Sequence, residues 1–239
     1  MQFNPISYRK KVYRNIFTCS PSQYLLDDIC DAEDFDLVDQ LIQMTSEIDH
    51  HQSQPHRPFQ YGIIESDEVL SVFKKEKWGI GRFGDGLTYG VWYAAEDEMT
   101  SVYEAAWTAY RLARDNVLLN GEVYTSDRSM FEAKVSSKKA IDLTKEKEIQ
   151  TSLIDNDYAF CQKIGRQVHQ ESFDLLRTPS ARRKEGVCVP IFSQLCIGKI
   201  SYKYGLSFHI LPSGQIHVSS GNQEMNFTQS ADQLHVNLV

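Results

Sequence analysis

The chain has 239 residues and 27.4 kDa, with 41% hydrophobic and 24% charged residues and a formal net charge of −7. This length suits about one or two domains with a real core, the composition excludes a mostly disordered protein, and no apolar run approaches the about 18 residues of a membrane span. The excess charge is local, because residues 1–70 hold 12 Asp/Glu against 5 Lys/Arg while residues 71–239 hold 20 of each. The chain therefore lacks the broad basic surface that binds a nucleic-acid backbone.

Residues 1–25 read as an extended arm carrying Phe3, Tyr8, Tyr13, Phe17 and Tyr24. The basic start (Arg9, Lys10, Lys11, Arg14) lacks the apolar stretch of a secretory signal, so a cytoplasmic protein is expected. Apolar spacing predicts a helix over Asp34–Ile48. A polar, Pro-punctuated loop follows with His50, His51 and His56. A metal needs three or four convergent ligands, which such a loop need not supply, and no metal is expected. Cys19, Cys30, Cys161, Cys188 and Cys196 are scattered, with no C-x-x-C pair, and read as reduced thiols.

Asp67–Lys75 is predicted as a second helix. Gly79, Gly81, Gly84, Gly86 and Gly90 then cluster around the start of a predicted strand, Tyr89–Ala95. Glu96, Asp97 and Glu98 open a long helix to Arg114, where acids at the start and Arg111 and Arg114 at the end suit the helix dipole. Glu122–Val135 is predicted as a strand bent at Ser126-Asp127, and Asp157–Ser172 as a helix. Val187–Phe192, Ile200–Lys203 and Leu206–Ile210 are predicted strands. Pro212-Ser213-Gly214 turns the chain into a return strand with Ile216 and Val218, and the last 20 residues are ambiguous. Helices and strands interleave without regular βαβ spacing. The expected fold class is α+β, with mixed, largely antiparallel sheets and flanking helices.

Gly79-Ile80-Gly81-Arg82-Phe83-Gly84 matches G-x-G-x-x-G. A dinucleotide fingerprint needs an apolar strand before the glycines and a helix opening on them. Here Lys74-Lys75-Glu76-Lys77 precede and strand-like residues follow, so this match is rejected. A kinase loop is rejected too, for want of its lysine, H-R-D and D-F-G motifs.

What remains is Arg82 in a glycine-rich turn, Tyr93 near a strand end, Glu104 early in the long helix, and Pro179-Ser180-Ala181-Arg182 before an apolar strand. Taken singly, each has an ordinary structural role. Glu104 shares a polar stripe with Thr100, Thr108 and Arg111 and reads as solvated. Arg82 reads as a surface arginine, Tyr93 as a core aromatic, and Ser180 as a turn or N-cap residue.

Together, Gly81-Arg82-Phe83, Tyr93-Ala94-Ala95, Glu104, Pro179-Ser180-Ala181-Arg182 and Val187–Phe192 resemble the RES domain family. That family is named for an arginine, a glutamate and a serine, which match Arg82, Glu104 and Ser180. The resemblance covers residues 78–195. It implies an ADP-ribosyltransferase-like fold and a bacterial toxin that degrades NAD⁺ by hydrolysis or phosphorolysis. NAD⁺ is then a substrate, phosphate a co-substrate of the second reaction, and no separate cofactor is implied. The implied partner is an Xre-type helix-turn-helix antitoxin, with no direct nucleic-acid or membrane contact, and self-association is left open. On this division residues 1–77 form an acidic, helical N-terminal extension packed on the core, and residues 78–239 form the catalytic domain. Many members carry an asparagine eight or nine residues after the serine. Here those positions are Cys188 and Val189.

The resemblance assigns roles by chemistry. Cleavage of the nicotinamide–ribose bond passes through an oxocarbenium-like state, which a carboxylate stabilises. Glu104 takes that role, and Arg82 suits the pyrophosphate. Tyr93, assisted by Phe83, is expected to stack on a ring of the dinucleotide. Ser180 is expected to hydrogen-bond the substrate, and no histidine is placed to make it a nucleophile. Arg182 is a weaker phosphate candidate, more simply read as exposed. Two alternatives stay open: transfer of ADP-ribose to a macromolecule, and a non-enzymatic module that uses the acidic N-terminal region. A second acid just before Glu104, common in arginine-directed transferases, is missing, because Val102 and Tyr103 stand there.

Overall fold

The computed structural model describes residues 2–17, 69–116, 121–220, 223–230 and 233–237. The predicted helix Asp34–Ile48, the three histidines that follow it, Cys19 and Cys30 lie outside the described residues. The remaining cysteines, Cys161, Cys188 and Cys196, are free thiols.

The aromatic arm is a strand, β1 (Ile6–Phe17), with Tyr8 and Val12 buried beneath it. β2 (Trp92–Ala95) leads into helix α1 (Glu98–Asn116), followed by the long strand β3 (Tyr124–Asp142). Helices α2 (Gln150–Ile154) and α3 (Ala159–Gln170) precede β4 (Leu175–Pro179) and β5 (Val187–Ile191). β6 (Ile197–Ile210), β7 (Ile216–Ser220), β8 (Gln223–Ser230) and β9 (Gln233–Asn237) complete the order. The sheet runs β1-β2-β5-β4-β3-β6-β7-β8-β9, and an added β1–β3 pairing closes its first five strands into a ring. Among these pairings only β3–β4 is parallel. The α+β expectation of a largely antiparallel sheet with flanking helices therefore holds.

β3 makes the ring possible by its length. Its residues from Arg128 to Ala140 pair with β1, while Tyr124–Val135 pair with β6 and Ala140–Asp142 with β4. Val12, Trp92, Phe131, Leu175 and Ile191 fill the ring. The alanines of α1 (Ala105, Ala106, Ala109, Ala113) let that helix lie close on Met130, Leu206, Phe208 and Ile216. α3 packs Cys161, Ile164 and Val168 against Phe83, Leu153 and Leu176 on another side. Among the described residues, no helix is long and apolar enough to cross a membrane.

Several expectations change. In the described part of Asp67–Lys75, Val69 is helical and the chain then forms short 3-10 turns, Ser71–Phe73 and Lys75–Lys77, where the prediction continued the helix. Tertiary contacts shape it: Val69 is core, and its carbonyl accepts from Trp92 Nε1 at 2.9 Å. β2 starts at Trp92, because Tyr89 turns away to stack on His169 of α3, with 4.6 Å between ring centroids. β3 is not bent at Ser126-Asp127; its register against β6 slips at Met130/Phe131 and Ala133/Val135. The two strands expected over 200–210 are one, β6, because β3 pairs continuously with it through Gly205. β4 had no sequence signal: Leu-Leu-Arg-Thr-Pro is short and shows no alternation.

The acidic trio is divided among separate tasks. Asp97 caps α1, accepting from Thr100 N at 2.9 Å and Thr100 Oγ1 at 2.7 Å. Glu98 pairs with Lys203 and Tyr204 of β6. Glu96 accepts from Arg177 Nε (2.6 Å) and Lys10 Nζ (2.6 Å), and Arg177 Nη1 also reaches Asp142 at 2.5 Å. One cluster thus ties β1, β3 and β4 to the end of β2. Burial works to raise the pKa of Glu96, but the bonds from Arg177 and Lys10 outweigh it and hold it below the usual range. Burial acts likewise on Asp142, where bonds from Thr144 and Arg177 win. Depressed carboxylates contribute stability above their unfolded pKa of about 4 and lose it as pH falls through the lower folded values. Arg177→Met should lower stability at neutral pH by about 1–3 kcal/mol. It should also flatten the fall in stability below about pH 4, measured by urea unfolding at stepped pH.

Candidate functional site

The glycine-rich turn is held from behind by α3. Gln162 Nε2 donates to Gly81 O at 3.1 Å, and Tyr89 Oη donates to Phe83 O at 2.8 Å. A Cβ at Gly165 would sit 2.0 Å from Phe83 O, so α3 approaches the turn this closely only through glycine. From the front, Tyr93 Oη accepts from Phe83 N (2.9 Å) and Gly84 N (3.1 Å). Burial raises the Tyr93 phenol, while those two amides pull it the other way. A Cβ on Gly81 would lie 2.6 Å from Tyr93 Oη. The turn thus has one shape, and that shape presents Arg82. Its Nη1 donates to Leu153 O (3.0 Å) and Asp155 O (2.5 Å), and its guanidinium carbon lies 4.8 Å from the Tyr158 ring centroid.

Glu104 lies in the second turn of α1. Its Oε1 accepts from Ser180 Oγ (2.5 Å), Ala181 N (3.2 Å) and Cys188 Sγ (3.4 Å). Ser180 sits in a tight turn, where its N donates to Gly186 O at 2.8 Å and its Oγ accepts from Arg182 N (3.1 Å) and Arg183 N (3.0 Å). Arg183 fastens this turn to the start of α1 through Asp97 (2.8 Å) and Thr100 (2.9 Å). Burial, then the neighbouring Glu104, raises the Cys188 thiol well above its usual value, so it stays protonated and donates. Val189, by contrast, is core.

These groups share a cleft of about 350 Å³, within the size range of small-molecule sites. Arg82, Tyr93, Glu104 and Cys188 line it, together with Arg14, Asn15, Arg128 and Thr178. Of the supposedly solvated stripe of α1, Glu104, Thr108 and Arg111 line the cleft, with Ser101 beside them, whereas Thr100 is buried and bonded to Asp97 and Arg183. Among the described residues no cluster of His, Cys, Asp or Glu is arranged to hold a metal.

The structure brings Arg82, Tyr93 and Glu104 to one cleft and gives three other residues surroundings that the sequence did not suggest. Phe83 is only 1% exposed, with its ring in the core and its backbone N–H donating to Tyr93 Oη. The Ser180 hydroxyl donates a hydrogen bond to Glu104, a partner within the chain that the sequence did not suggest. Arg182 is buried instead of exposed: it lies 3.9 Å from the Trp107 ring centroid and donates to Asn156 Oδ1 at 2.5 Å. Burial lowers its pKa, and Glu104 pulls it back up. Sequence reading missed Arg14 and Arg128 as cleft residues, since nothing local to a strand arginine shows which face it takes.

The α+β fold thus brings a carboxylate held by three donors, an arginine and a tyrosine to one cleft. The chain belongs to the RES domain family, whose model matches residues 47–202. No curated protein matches the chain significantly. Among solved structures it is similar to a chain in the crystal structure of the M. tuberculosis MbcT-MbcA toxin-antitoxin complex, with a TM-score of 0.47 and 14% identity over 87% of each chain.

Tyr93→Phe would leave two amides of the turn without their acceptor, at a cost of about 1–3 kcal/mol for each buried group left unpaired. The expected outcome is a lower urea midpoint with an unchanged slope.

Proposed function

We propose that this chain is an NAD⁺-consuming toxin of a toxin–antitoxin pair, acting as a glycohydrolase or phosphorylase. Membership of the RES family supports the class. The observation that carries the reading is the Glu104 carboxylate, fixed by three donors on the wall of a cleft that also holds Arg82 and Tyr93.

In this reading the C1′–N bond of the nicotinamide riboside breaks and its electron pair passes to the pyridinium nitrogen. Nicotinamide leaves neutral, so no general acid is needed. Glu104 faces the cationic ribose and lowers the energy of the oxocarbenium-like state. An oxygen of water, or of phosphate, forms the new bond to C1′, and water releases its proton. With Glu104 Oε1 held by the protein, Oε2 is the oxygen that meets the ribose. Nη1 of Arg82 is bound to two carbonyls, so its remaining edge takes the pyrophosphate. Tyr93, 37% exposed, offers ring surface for stacking. The neutralising partner is an Xre-type antitoxin.

Glu104→Gln should cut nicotinamide release from NAD⁺ by about 10²–10³-fold, the usual effect of removing one preorganised charge. Cys188→Ser, which keeps a donor, should stay close to wild type, and Cys188→Ala should fall below it. Equal rates in wild type and Glu104→Gln would refute the reading.

A further inference from the structure

Sheet register shows what the N-terminal arm brings to the cleft. Cys188 of β5 donates to Glu104 of α1, so Cys188 stands on the face of the sheet that α1 covers. Ala95 of β2 pairs with Cys188, and Tyr13 of β1 pairs with Ala95. Side chains alternate between faces along a strand, and paired residues share a face. Carried two residues on, the same register sets Asn15 beside Tyr93, which itself pairs with Pro190. From the other side Asn15 pairs with Met130 of β3, and Met130 packs under α1. Both pairings place Asn15 on the cleft floor, next to Tyr93. Arg14, one residue earlier, takes the opposite face and lies over Trp92 inside the ring, 5.0 Å from its centroid.

Asn15 lines the cleft, and its amide nitrogen and oxygen, both buried, have no hydrogen-bond partner. Buried polar groups nearly always find one. Other amides of the fold obey that rule: Gln162 bonds Gly81 O, Gln150 bonds Thr144 O, and Asn156 accepts from Arg182. Asn15 keeps a donor and an acceptor open together, beside an aromatic ring. A turn about its side-chain torsions swings the amide toward the cleft without moving the strand. Another planar amide satisfies both at once, since it gives one bond and takes one in the same plane.

We propose that Asn15 is a specificity-determining residue that recognises the carboxamide of the nicotinamide ring. The assignment rests on the NAD⁺ reading, in which Glu104 faces the ribose and Tyr93 offers its ring for stacking. The three lie over one floor: Glu104 above Cys188, Tyr93 one row further along the strands, and Asn15 next to Tyr93 on β1. A nicotinamide ring stacked on Tyr93 turns its carboxamide to Asn15. A site built to hydrogen-bond a polar group rejects the analogue that cannot return the bonds. A carboxylate in the carboxamide's place accepts but does not donate, and leaves the Asn15 oxygen unpaired against negative charge. Asn15 lies outside residues 47–202, so this discrimination belongs to the arm of this chain and not to the stretch that the family model matches.

The test compares kcat/KM of the full chain for NAD⁺ and for its deamido analogue, which carries nicotinate in place of nicotinamide. Wild type should prefer NAD⁺ by at least about tenfold, and Asn15→Leu should lose most of that preference through slower turnover of NAD⁺. Thermal unfolding should find Asn15→Leu no less stable than wild type, because it removes an unpartnered buried amide. A preference that survives Asn15→Leu, with both substrates slowed alike or neither slowed, would overturn the assignment, since a purely structural residue affects both. So would a change confined to the purine, measured by replacing adenine with hypoxanthine. Calorimetric titration with free nicotinamide and with nicotinate separates the assignment from the reaction. A wild type that binds nicotinamide in preference to nicotinate through Asn15, yet releases none from NAD⁺, would overturn the NAD⁺ reading and leave the role of Asn15 standing. A wild type that neither cleaves NAD⁺ nor binds nicotinamide would overturn both.

Discussion

The site depends on three donors meeting one oxygen. Ser180 Oγ, Ala181 N and Cys188 Sγ come from a single stretch of chain, and Glu104 comes from a helix far away in sequence. A glutamate has three rotatable side-chain torsions and costs entropy to hold. Here one oxygen is immobilised by the protein and the other is left to the cleft. The Ser180 hydroxyl can donate in that direction because its lone pairs are occupied by Arg182 N and Arg183 N. Its turn is fixed to α1 by Arg183, Asp97 and Thr100, so the carboxylate and its clamp move as one body.

The ring of five strands makes that body possible. β2 ends at α1 and β5 begins after the Ser180 turn, and the two strands are paired, with Ala95 opposite Cys188. Glu104 and Cys188 are therefore brought together by sheet register and not by proximity in sequence. β1 closes the ring from the other side, so the N-terminal arm is part of the cleft wall. The Glu96–Arg177–Asp142 cluster locks the same strands together at one end.

The legible parts of the sequence were those set by local periodicity or by special residues. α1, α3, β5 and the turn at Pro212-Ser213-Gly214 follow from apolar spacing and turn chemistry, with ends displaced by a residue or two. The 3-10 turns near Ser71, the single strand β6 and the parallel strand β4 depend on partners distant in the chain, which periodicity does not report. At the site, the positions of Arg82, Tyr93 and Glu104 were legible through the family pattern. The surroundings of Phe83, Ser180 and Arg182 were not, because each is decided by which way a side chain turns. Cys188 shows the same limit: its place in the sequence looked like a departure, and its thiol is a donor to Glu104.

The central claim is that Ser180 acts through Glu104, and a double-mutant cycle on nicotinamide release from NAD⁺ tests it most directly. Rates are measured for wild type, Ser180→Ala, Glu104→Gln and the double variant. The account predicts strong non-additivity: Ser180→Ala slows the wild-type enzyme and has little further effect once Glu104 is replaced. Additive losses would contradict it, since they would give Ser180 a contact with the substrate independent of the carboxylate it holds.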